Sequence, residues 1–172
     1  LTDHGNLMGA FHFIKAISNY NSNVSDSKKI KPRVGCEFYV CDDHRDKTRR
    51  NDGYQIIFLA KNKKGYHNLA KLTSLSYVDG FYYVPRIDKK LVELYKQHLI
   101  VLTGNMYGEI PSKILNLGDS QAEDALQWWH TQFGDDLYIE LMRHGEEGED
   151  RANEQLIYFS EKYKIPVIAT NN

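Results

Sequence analysis

Cysteine is scarce in this sequence: Cys36 and Cys41 are the only two among 172 residues. On one strand, at about 3.3 Å per residue, their alpha carbons stand more than ~10 Å apart, beyond disulfide reach. Both read as reduced thiols. Long apolar runs are missing too. None approaches the roughly 20 residues that cross a bilayer, and no signal peptide opens the chain. Together these absences point to a cytoplasmic protein without a membrane partner. An excess of one charge is also missing. The 22 lysines and arginines stand against 23 acids, giving a net charge of −1 and a pI near 6.7. A domain whose main task is gripping phosphate backbone is usually clearly basic, so this stretch is not read as a primary DNA-binding surface. No Walker A, G-x-S-x-G or H-E-x-x-H motif occurs.

What is present is the composition of one globular domain: 41% hydrophobic and 26% charged residues, enough for a sizeable core and too apolar for disorder. Apolar residues recur at helical spacing from Leu7 to Ile17, with Asn6 placed as N-cap. A polar loop closed by Pro32 leads to a strand at 33–41, a charged loop at 42–53 and a nearly all-apolar strand at 54–60. Helices are predicted over 65–77, near 88–97, from about Gly108, from Ser120 with Glu123 completing a capping box, and over 151–163. Further strands are predicted at 99–102, 137–142 and 166–170. Buried strands alternating with helices give an α/β fold with a parallel sheet. An open sheet and a barrel both fit that order. The chain opens at Leu1 and stops at Asn172 directly after an apolar run, so both ends look like cuts.

In parallel α/β folds, functional residues gather at the carboxyl ends of strands. Asp3 and His4 lie where a strand begun before Leu1 would end. Imidazole is a common ligand for zinc or manganese, and a nearby carboxylate can fix its tautomer. The plainer reading has Asp3 capping the helix and His4 packing locally. Glu37 is a carboxylate inside the apolar stretch 34–40, and alternation puts it with Tyr39 opposite Cys36, Phe38 and Val40. Either it is buried against a cation, a metal or several donors, or it faces water on an edge strand. His67 and His130 read as partly exposed helix residues, and the basic loop around His44 as solvated charge. Trp128 and Trp129 read as packing.

Several segments in order resemble one family. Leu1-Thr2-Asp3-His4-Gly5-Asn6 is similar to the T-D-H-G-N element of PHP domains in the alpha subunits of bacterial DNA polymerase III. Lys31-Pro32-Arg33-Val34-Gly35-Cys36-Glu37 resembles the K-P-x-x-G-x-E element that follows it. Leu59 to Asn62, Gly65-Tyr66 and Asn68-Leu69, Gly80 to Tyr83 running into Pro85-Arg86-Ile87-Asp88, Gly108 to Pro111 and Ile168 to Asn171 complete the order. The resemblance covers essentially the whole chain. It implies a distorted (β/α)7 barrel and a PHP domain over residues 1–172 that lacks the first strand, with its H-x-H element, and the last residues.

In that family, His, Asp, Glu and Cys side chains at the barrel mouth can hold two or three metal ions, zinc or manganese. Some members use them for 3′–5′ exonuclease proofreading. By position His4 and Glu37 match metal ligands, with Asp3 orienting them from behind. Three other ligand positions depart from the pattern: Gln55 replaces a histidine, Asn105 a cysteine and Asn172 an aspartate. An amide supplies neither negative charge nor an imidazole lone pair. The resemblance therefore implies a degenerate site held by hydrogen bonds, in a structural and interaction module. The alternative is an active metal-dependent exonuclease or phosphoesterase. The parent protein would be a DNA-directed DNA polymerase, with magnesium at catalytic carboxylates outside this chain. Its partners would be the other polymerase domains, DNA, a proofreading exonuclease subunit and the replisome.

Overall fold

The computed structural model describes residues 1–171. Its elements are β1 (Thr2–His4), α1 (Ala10–Ser22), β2 (Gly35–Cys41), β3 (Tyr54–Ala60), α2 (Lys63–Val78), β4 (Arg86–Asp88) and α3 (Lys89–Tyr95). They continue with β5 (Leu99–Leu102), α4 (Glu109–Asn116), α5 (Asp119–Phe133), β6 (Leu137–Leu141), α6 (Glu149–Tyr163) and β7 (Val167–Ala169). The strands form one sheet in the order β1-β2-β3-β5-β6-β7. β4 shares an edge of β2 with β1: β1 pairs with its first half, Gly35 to Glu37, and β4 with its second, Tyr39 to Cys41.

The fold is α/β as expected, but the sheet is mixed rather than parallel. β3 runs antiparallel to both β2 and β5. The cause lies in the connection. Residues 42–53 contain no helix that could carry the chain back along the sheet, so β3 returns beside β2 in the opposite direction. β4 is a strand that periodicity does not announce. It is only three residues long, and two of them, Arg86 and Asp88, are charged yet buried.

Two expected helix caps are replaced. α1 starts at Ala10, and Asn6 instead accepts the Met8 amide in the preceding turn. α5 starts at Asp119 without a side-chain cap, so the Ser120–Glu123 capping box does not form. Glu123 pairs with Lys162 and Tyr163 of α6 instead. The apolar stripe predicted from Leu7 to Ile17 is also less covered than its spacing suggests, since Ala10 is buried while Met8, before α1, and Phe11 and Ile14 on it are exposed.

The core is aromatic at its centre. Phe58 of β3 stacks on Phe133 of α5 with centroids 5.7 Å apart and tilts against Phe38 and Trp129. Full burial of each such ring contributes about 1.5–3 kcal/mol. Trp129 is buried as packing, and its indole N–H donates to Glu109 Oε2 at 2.8 Å. Lys89 and Lys113 donate to Glu109 Oε1 at 2.9 and 2.8 Å. Burial pushes the Glu109 carboxyl up, but the two ammonium groups and the indole outweigh it and hold it low. This acid is fully partnered and ties α3, α4 and α5 together.

Candidate functional site

The parallel pairing of β1 with β2 sets His4 opposite Glu37. His4 Nδ1 lies 2.6 Å from Glu37 Oε1. Glu37 is buried, as one reading of its apolar strand required, whereas the His4 side chain is 60% exposed. A proton on Nδ1 satisfies this contact and leaves the lone pair on Nε2. After His4 the backbone turns sharply at Gly5, which has φ +68° and donates its amide to the Glu37 carbonyl at 2.8 Å. A Cβ there would sit 2.7 Å from Pro85 Cγ, so the T-D-H-G element needs its glycine. Asp3 Oδ2 accepts the Gly9 amide at 2.7 Å. It braces the entry to α1.

Gln55 and Asn105 meet each other. Asn105 Nδ2 donates to Gln55 Oε1 at 3.0 Å, and Asn105 Oδ1 accepts the Tyr107 amide at 2.8 Å. The Gln55 backbone N–H in turn donates to the Tyr107 carbonyl at 3.0 Å. These bonds close the loop after β5 onto the start of β3. Asn172 lies outside the described residues. Its neighbour Asn171 has Oδ1 2.9 Å from His144 Nε2.

Residues that sequence reasoning passed over also gather here. Glu140, next to last in β6, is buried and accepts the Thr170 hydroxyl at 2.6 Å. Burial raises its carboxyl pKa, and the charge of Glu37 adds to that push. Its signal was available, because Glu140 interrupts the apolar strand Leu137–Leu141 just as Glu37 interrupts β2. Glu149 accepts the amides of His144 and Gly145.

The reading of His44 as part of a solvated loop needs correction. Arg45, Lys47, Arg49 and Arg50 are exposed, but His44 is buried. Its Nδ1 lies 2.5 Å from Asp88 Oδ2, and its amide donates to the same oxygen at 3.2 Å. Arg86, fully buried, donates to the carbonyls of His44, Asp46, Asn51 and Gly80, and so pins the loop 42–53 from beneath. Asp43, His44 and Asp88 bring one metal-capable atom each within 4.8 Å of one another. Cys36 and Cys41 are free and buried. Burial pushes their thiols up to about 12 and about 11, which keeps them neutral rather than as thiolate ligands.

A PHP domain family model matches residues 1–144. The chain belongs to the PHP domain family. Across its whole length it is similar to DNA polymerase III subunit alpha of Borreliella burgdorferi, 41% identical over 178 residues. The same subunit of Treponema pallidum and that of Thermus aquaticus are each 36% identical over 177 residues. The chain spans 15%, 14% and 14% of the length of these three relatives. No helix among the described residues is long and apolar enough to cross a membrane.

PHP domains typically use metal ions, so the donor set matters. The positions that the resemblance suggests as ligands offer, within the described residues, one imidazole, one carboxylate and two amides bonded to each other. Zinc prefers thiolate, imidazole and carboxylate, usually four together. This set does not fit it.

Proposed function

We propose that this PHP domain is a structural and docking module of a replicative DNA polymerase, and that its mouth does not hydrolyse phosphodiesters. The observation that carries the reading is the Gln55–Asn105 hydrogen bond. Metal-driven hydrolysis needs a firmly held ion to lower the pKa of bound water. Here two ligand positions are neutral and satisfy one another. The amide pair replaces ion-mediated cross-linking between β3 and the loop after β5 with a direct bond. His4 and Glu37 then remain as part of an incomplete ligand set.

On this reading the parent polypeptide extends primers with magnesium at carboxylates elsewhere in its chain. The domain's partners are the other polymerase domains and a separate proofreading exonuclease. The test uses the full-length protein on a primed template and on single-stranded DNA, with manganese or zinc added. Primer extension without 3′–5′ degradation is expected, and His4→Ala should change neither. Degradation abolished by His4→Ala would replace this proposal with the active-hydrolase reading.

A further inference from the structure

A groove of about 590 Å³ lies between α1 and the start of α2, where the chain enters β2. The half-buried part of its wall is apolar, from Pro32, Val34 and Ala60. One exposed ring stands on each helix beside it, Phe11 of α1 at 69% and Tyr66 of α2 at 38%. Its charge is of one sign. Lys31, Arg33, Lys61 and Lys63 line it, and no carboxylate does. Burial alternates along 31–34, so Lys31 and Arg33 are exposed between half-buried apolar neighbours. Lys61 is tied to Asp136 at 2.9 Å, while Lys31, Arg33 and Lys63 have no ionic partner among the described residues. Lys63 and Lys64 also open α2, at the positive pole of the helix, where cations are disfavoured and an anion is stabilised. The near-zero net charge of the whole chain hides this segregation.

We propose that this groove holds single-stranded DNA, the unpaired template of the parent polymerase, a proposal that rests on the replicative reading above. Each nucleotide carries one negative charge and one flat apolar face. The groove offers partners for both side by side, cations for the phosphates and exposed rings on which bases stack whatever their sequence. An apolar peptide would bury the rings and leave three cations unpaired. The contact is a guide rather than the main grip. With four cations it engages four phosphates at most, which for a single strand gives a log–log salt slope of about −3. None of the positions that the resemblance suggests as metal ligands lines the groove, so it stands apart from His4 and Glu37.

The rival occupant is a protein segment, acidic or apolar, from a partner subunit or another domain. A photo-crosslinking amino acid, p-benzoylphenylalanine, in place of Phe11 of the full-length protein separates the two. On a primed template with a long 5′ overhang, a crosslink to the overhang is expected. A crosslink to polypeptide alone, or to neither, would overturn the proposal. Affinity for an oligothymidylate measured by fluorescence anisotropy gives a second reading. Lys31→Glu/Lys63→Glu should weaken binding about tenfold and make the salt slope shallower by about 1.4, as the loss of two phosphate contacts requires. Both lysines are exposed, so the fold does not depend on them. A slope equal to that of the wild type would also overturn the proposal. Nuclease assays read the function proposed above separately, so either idea can fail alone.

Discussion

His4–Glu37 and His44–Asp88 are the same chemical pair in two settings. Each joins an imidazole Nδ1 to a carboxylate, at 2.6 and 2.5 Å, and each sits where a short strand lies along the same edge of β2. Their surroundings differ. The His4 side chain is 60% exposed and that of His44 only 8%. Asp88 also takes the His44 amide and caps α3 through the Leu91 amide, while Arg86 holds the His44 carbonyl. The buried pair, tied through Asp88 and the His44 backbone while His44 Nε2 has no partner, is a clasp. A pair with an open imidazole face is available to a ligand. The chemistry of the two side chains does not distinguish these roles; burial and the surrounding bonds do.

Asp88→Ala breaks the clasp most severely. It removes a buried partner, an amide acceptor and a helix cap, for a loss of about 3–5 kcal/mol locally. Hydrogen exchange in the full-length protein should rise at least ~100-fold across α3 and residues 42–53. Exchange that stays protected would show that the clasp contributes little. Arg86→Ala should come next, at about 3 kcal/mol, because it strands carbonyls of two loops. Its exchange signature should centre on 42–53 and 80–85, leaving the His4 edge unchanged.

Acid should also separate the pairs. Burial raises the Asp88 carboxyl, but the His44 ring, the Leu91 amide and the His44 amide outweigh it and hold it below the usual range. A carboxyl held low in the folded state stabilises fully above its unfolded pKa of about 3.9 and loses that contribution as pH falls through the folded value. Protection of α3 should therefore hold from neutrality to about pH 5 and fall below about pH 4. Asp88→Asn should remove that acid step.

Glu37→Gln keeps the shape of the first pair and should cost about 1 kcal/mol. His4→Ala, at an exposed edge, should cost under ~0.5 kcal/mol. A His4 effect as large as that of Asp88 would mean that both pairs are structural and would erase the contrast.

What could be read in advance follows from range. The strand 54–60 was legible to its ends because its burial is written in consecutive apolar residues. Glu37 stood out as a lone acid in such a run, and Glu140 carries the same mark in β6. Asn6 and Ser120 misled because a capping residue only offers a bond. Where the chain leaves its preceding strand or loop decides which residue begins the helix. His44 was hidden because its partner is 44 positions away and meets it only through the pairing of β2 with β4.

By itself the sequence determined the alternation of strands and helices, the family motifs and the presence of amides at Gln55 and Asn105. These depend on residue identity and near neighbours, which the chain carries unfolded. Only the tertiary structure decided that β3 runs antiparallel, that Arg86 and His44 are buried, and that Phe11, Lys31 and Tyr66 share a groove. Those facts depend on strand register and on which distant surfaces exclude water, and neither exists until the sheet has formed.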